Sequence, residues 1–130
     1  MTVHPDSARR TAAAMIGTWG IFGCAAVPLT AEAPRIVTGM ALTPYEIHED
    51  CVRLSPGDRL DYTFDATDPV AFEIRYREGT AALSPIVRSP VRADAGVYTA
   101  PLGVQYCLVW EAGSAGALVD YRLRLRPAAR

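Results

Sequence analysis

Three stretches of this chain alternate apolar and polar side chains with a period of two, and that pattern leaves few ways to fold. Leu60, Tyr62 and Phe64 alternate with Arg59, Asp61, Thr63 and Asp65. Val70, Phe72, Ile74 and Tyr76 alternate with Ala71, Glu73, Arg75 and Arg77, and Val119, Tyr121, Leu123 and Leu125 with Asp120, Arg122, Arg124 and Arg126. In an extended strand successive side chains point to opposite faces, so each stretch offers one apolar face to a core and one polar face to water. Turn signals punctuate the strands: Ser55-Pro56-Gly57-Asp58, Thr67-Asp68-Pro69, Glu78-Gly79-Thr80, Ala95-Gly96 and Gly113-Ser114-Ala115-Gly116. The last of these reads as the turn of a hairpin joining the Gly103–Glu111 strand to the Ala117–Arg126 strand. Gly103–Glu111 is apolar on both faces, as a central strand is. Pro85 and Pro90 reduce Leu83–Ala93 to an edge strand or an irregular crossover. No helical periodicity of useful length follows residue 35. The expected fold is therefore all-β, an antiparallel β-sandwich of about seven to eight short strands over residues 36–130.

The 130 residues suffice for one domain with one modest core, and half of them are apolar. The formal charge of −1, with the thirteen basic residues all Arg and scattered, gives no clustered basic surface for nucleic acid. No apolar run reaches the roughly 18–20 residues that span a bilayer.

The first 24 residues have the three parts of an export signal. Arg9 and Arg10 precede an uncharged run from Thr11 to Gly23, TAAAMIGTWGIFG, which fits an apolar signal core of about 7–15 residues. The run ends at Ile21-Phe22-Gly23-Cys24, which resembles the lipobox of a bacterial lipoprotein signal: Ile21 stands three before the cysteine and the small Gly23 directly before it. The resemblance implies a signal peptide over 1–23, cleavage before Cys24, and a lipid on that cysteine. Ala25 is not the Asp that marks inner-membrane retention in many Gram-negative bacteria, so the implied address is the outer membrane, facing the periplasm. Residues 24–35, rich in Ala and Pro, then read as lipid anchor and tether. Two alternatives stand beside this: cleavage after Ala33 at Ala31-Glu32-Ala33, releasing a soluble exported protein, and a buried N-terminal helix in a cytoplasmic one.

Three cysteines is an odd number, which in an exported protein leaves one over. A lipid on Cys24 leaves Cys51 and Cys107, an even pair able to form one disulfide in an oxidising compartment; two separate buried thiols are the other possibility. Their spacing is not that of a Cys-x-x-Cys redox or zinc motif.

A second resemblance rests on Cys51-Val52-Arg53-Leu54-Ser55-Pro56-Gly57, Gly96-Val97-Tyr98, Tyr106-Cys107-Leu108-Val109-Trp110-Glu111 and Val119-Asp120-Tyr121-Arg122-Leu123. Together these look like the GOLD (Golgi dynamics, emp24-type) sandwich of early-secretory cargo receptors. The resemblance covers about residues 45–126 and implies a jelly-roll-like sandwich in which Cys51 and Cys107 pair. It carries no function across.

The search for chemistry gives no catalytic residue, cofactor or metal site. Glu46-Ile47-His48-Glu49-Asp50 puts His48 on one face with Glu46 or Asp50, but no second His or Met completes a copper set, and a solvated polar edge is the expected reading. Asp61, Asp65 and Asp68 read as surface charges, and the Arg122-x-Arg124-x-Arg126 ladder as partners for acids such as Asp61 or Glu73. Most aromatics fall at core positions; Tyr45 and Tyr98 are the least constrained. The expected function is non-catalytic. A lipid-anchored β-sandwich would contact another envelope protein, or a soluble exported one would bind a glycan or metal.

Overall fold

The computed structural model describes residues 28–129, so the signal segment and Cys24 lie outside the described residues. The described chain is all-β and antiparallel. Its six strands are β1 (Arg35–Leu42), β2 (Ile47–Arg53), β3 (Arg59–Glu78), β4 (Ala81–Thr99), β5 (Gln105–Ala112) and β6 (Ala117–Arg126). They form one sheet in the order β1-β6-β3-β5-β2, with β4 along the other side of β3.

The expected seven to eight short strands become six because two of them are long, β3 with 20 residues and β4 with 19. Thr67-Asp68-Pro69, read above as a turn, lies inside β3, where the pairing with β4 shifts register between Asp65 and Val70. β3 bends there and changes partner, pairing with β6 over residues 59–66 and with β5 over residues 70–76. The sheet thus has two halves. One holds β1, β6 and the first part of β3, the other β2, β5 and the second part of β3, and β4 runs through both. Their inner faces meet: Tyr62 and Phe64 of the first half lie 5.1 and 4.9 Å, ring to ring, from Phe72 of the second, and Trp110 stacks on Tyr121 at 4.4 Å.

The predicted β5–β6 hairpin does not form. β5 and β6 leave the Gly113–Gly116 turn along opposite halves of β3, from Val70↔Ala112 on one side and Ala66↔Val119 on the other. A second crossing turn, Thr43–Glu46, runs beside it. Tyr45 N–H donates to Gly113 O (3.1 Å) and Ala112 N–H to Glu46 O (3.0 Å). Gly116, with φ of +67°, lies so close to Leu42 that a Cβ there would stand 2.6 Å from its carbonyl oxygen, so the two crossings fit only around a glycine.

β4 is an edge strand, as its prolines imply: among the described residues it pairs with β3 alone. Between Val70↔Val91 and Phe72↔Arg88 the β4 side advances three residues for two on β3, and again between Ile74↔Ile86 and Tyr76↔Leu83. The extra residues fall at Pro90 and Pro85, where a missing N–H costs no ladder bond.

The alternating residues face as expected. Leu60, Tyr62, Phe64, Val70, Phe72, Ile74, Val119, Tyr121 and Leu123 are buried, together with Tyr106, Leu108 and Trp110. The tether does not hang free along its whole length, since Leu29 packs partly buried against this core. At the opposite end from the crossing turns, the buried Asp58 carboxylate accepts from the N–H groups of Ser55 (2.9 Å) and Ala128 (2.9 Å).

Burial pushes the phenols of Tyr62, Tyr106 and Tyr121 above their ordinary range and that of Tyr98 up to about 12. A phenol whose pKa is raised on folding stabilises the fold fully below its unfolded pKa, about 10, and loses that contribution as pH rises through the folded value. The fold is therefore expected to lose stability progressively as pH rises above about 10, with phenolate absorbance delayed past the ordinary phenol midpoint and appearing together with loss of the β circular dichroism. Phenolate forming with an ordinary midpoint in a still-folded chain would contradict this.

Candidate functional site

The Cys51–Cys107 disulfide forms. It does not join the two half-sheets. Cys51 and Cys107 are direct register partners on neighbouring strands β2 and β5, and the inward places on either side of them are filled by Val52, Tyr106 and Leu108. The bridge therefore lies on the outer face of the second half-sheet, half-buried.

Register places the rest of that face. Arg75 of β3 lies opposite Cys107 on its other side, so one lateral row reads Cys51, Cys107, Arg75. The next row reads Glu49, Val109, Glu73, and the one beyond it Ile47, Glu111, Ala71. Two acids thus flank Val109 one row from a guanidinium. Arg75 joins them, its guanidinium pairing with Glu49 and, at 3.3 Å, with Glu73. Glu49 is exposed and Arg75 and Glu73 are half-buried on this open face, so each pair contributes only about 0–1 kcal/mol and mainly sets where the side chains lie. Val109 is buried beneath them although it faces outward. Beside the bridge opens a hollow of about 480 Å³ lined by Glu49, Arg75, Arg77, Gln105, Val104 and Cys107. Cys51 and Cys107 were legible as a pair. Glu49, Arg75 and Glu73 were not, because nothing in the local sequence says which strands flank β5.

A second polar group sits where the two half-sheets approach at their free margins. His48 is not the solvated edge residue expected. It is half-buried, its ring 6.0 Å from that of Trp110 and 6.1 Å from that of Tyr121. Tyr121 O–H donates to Asp50 Oδ2 at 2.7 Å, His48 Nε2 lies 3.4 Å from the same phenol oxygen, and Arg35 pairs with Asp50 Oδ1. Burial first, then the bond to Asp50, holds the Tyr121 phenol protonated well above its usual range. The cluster ties β1 and β6 to β2 across the core, a structural closure. Glu46, the other residue grouped with His48, turns away, accepting from Thr43 N–H (2.7 Å) and Thr43 Oγ1–H (2.9 Å). The Thr43 backbone bond and then its hydroxyl keep the Glu46 carboxyl below the ordinary glutamate value.

The arginine ladder lies on the outer face of the other half-sheet. Arg126 pairs with Asp61, as the sequence allowed, while Glu73 belongs to the opposite half and pairs with Arg75 instead. Arg122, Arg124 and Arg126 line a shallow hollow of about 340 Å³ with Asp61 and Thr63. Of the two aromatics least constrained by the pattern, Tyr45 is exposed at 66% and Tyr98 is buried, edge-on to Tyr106 at 5.5 Å.

No family model matches the chain, and no curated protein matches it. Among solved structures, the solution NMR structure of a de novo designed double-stranded beta-helix is similar over 72% of this chain and 99% of its own, at 15% identity and a TM-score of 0.41.

Proposed function

We propose that this chain is an exported bacterial lipoprotein, anchored by lipid on Cys24 and facing the periplasm. Its β-domain, a two-layered sandwich of GOLD or jelly-roll type, acts as a non-catalytic interaction module for another envelope protein. The observation that carries the reading is the Cys51–Cys107 disulfide. Such a bridge belongs to an oxidising compartment, and it takes up two of three cysteines, leaving Cys24 as the one for lipid. The outer face around the bridge supplies the contact surface, with alternating acidic and guanidinium groups over a buried valine. Such faces serve recognition more by charge complementarity than by area.

The test is palmitate labelling and detergent partitioning of the full chain against Cys24→Ala, with the intact mass of the product. Label and partitioning in the wild type, both abolished by Cys24→Ala, with a mass starting at acylated Cys24, support the reading. An unlabelled protein starting at Met1 overturns it. The hollow beside the bridge favours a second reading, a soluble exported ligand-binding module; an unlabelled product starting at Pro34 would support that one and overturn the anchor.

A further inference from the structure

Zinc-binding cysteines are usually brought together by short spacing along the chain; here strand register does the same for residues 56 apart. Cys51 and Cys107 face each other across β2 and β5, and Glu49 stands two residues before Cys51 on the same face. The two sulfurs and a Glu49 carboxylate oxygen all lie within 4.8 Å of one another, at the edge of the 480 Å³ hollow. Zinc takes thiolate sulfur at about 2.3 Å and carboxylate oxygen at about 2.0–2.2 Å, so ligand atoms on one ion stand roughly 3–4 Å apart. Opening the sulfur–sulfur bond frees the Cys51 and Cys107 side chains to rotate toward that spacing, with the Glu49 oxygen already within 4.8 Å of both sulfurs.

We propose that the reduced form of this face is a binding site for one zinc-class divalent ion, held by Cys51, Cys107 and Glu49 with water in the fourth place. The disulfide is then the metal-free, oxidised form of the same site. Interconversion balances simply. A dithiol reductant gives two electrons and two protons to the bridge, becomes a disulfide itself, and leaves two thiols. The incoming ion displaces both thiol protons to solvent and takes the two thiolates. The surroundings suit the exchange. The bridge is half-buried on an outer face rather than sealed in the core, and the hollow opens beside Cys107. Glu49 is held in the oxidised form by Arg75, which has a second acid, Glu73, at 3.3 Å and keeps it when Glu49 turns to the metal. The site is independent of the anchor, which lies at Cys24.

The test uses the full chain carrying Cys24→Ala, so that only these two thiols remain. The chain is reduced with a phosphine and freed of it under nitrogen. It is then titrated with Co²⁺, read by the thiolate-to-cobalt charge-transfer band, and with Zn²⁺ against a chromophoric chelator. One ion per chain is expected for the reduced protein and none for the oxidised. Losing even an outer partner of a metal ligand costs about 10–100-fold in affinity, so Glu49→Gln is expected to lose at least that and Cys51→Ser/Cys107→Ser more. Circular dichroism before metal is added should keep its β signature. The proposal is overturned by a reduced chain that binds no better than the double serine variant, by Glu49→Gln with unchanged affinity, or by loss of the β signature on reduction, since strand register defines the site.

Discussion

Replacing Trp110 by alanine is expected to lower stability by about 3–5 kcal/mol, read as a drop in the urea midpoint at unchanged slope. Trp110 is fully buried on β5 at the meeting of the two half-sheets. It stacks on Tyr121 at 4.4 Å, lies 5.4 Å from Phe72, and meets Phe64 edge-on at 6.1 Å. Those three rings come from β6 and from both parts of β3, so truncation opens a cavity whose walls belong to strands fixed by their own ladders. They cannot collapse far, which places the cost in the upper range for large-to-small changes. The domain as a whole is worth about 5–15 kcal/mol, so this one change removes a large share. Trp110→Phe is expected to cost less than about 2 kcal/mol. The indole Nε1 is buried without an acceptor among the described residues, so its removal loses no hydrogen bond and relieves a desolvated donor. A phenylalanine variant as unstable as the alanine one would show that the indole N–H is bonded after all.

The double variant Cys51→Ala/Cys107→Ala is expected to lose about 4 kcal/mol against the oxidised protein, the chain-entropy value for a loop closed over 56 residues. Most of that loss should lie in the unfolded chain. In the folded state β2 and β5 are already joined by seven register pairs from Ile47↔Glu111 to Arg53↔Gln105, and they stay joined without the bridge. The variant should therefore keep its circular dichroism at 25 °C while melting lower. A variant unfolded at 25 °C would mean that the bridge holds β2 in place where the ladder does not. That result would also weigh against a metal site in the reduced face.

What the sequence made legible was the direction in which side chains point. Alternation placed Leu60, Tyr62 and Phe64 inside and Arg122 and Arg124 outside because burial of one face is a local property of a strand. Pro85 and Pro90 marked an edge for an equally local reason, a missing N–H. Partner choice was not legible. Thr67-Asp68-Pro69 and Gly113-Ser114-Ala115-Gly116 carry the same turn chemistry, yet one lies inside a bent strand and the other crosses between half-sheets. What decides between them is the strand that arrives from elsewhere in the chain. His48 was misread for the same reason: the phenol it approaches lies 73 residues away. The candidate site shows the limit most sharply. Its cysteines were visible as a pair by arithmetic, whereas Glu49, Arg75 and Glu73 join them only through the register of three strands.

The two prolines of β4 have a consequence for behaviour at high concentration. β4 is the longest free margin of the sheet, and it exposes Leu83, Val87 and Val97. A margin of that length with apolar side chains would ordinarily template strand-to-strand growth into fibrils. Pro85 and Pro90 sit at two of the three register shifts between β3 and β4, so the margin is cut into short runs, each ended by an irregularity and a missing donor. The same irregularities in the β3–β4 ladder are thus expected to hinder the addition of one copy of the protein to another along this margin.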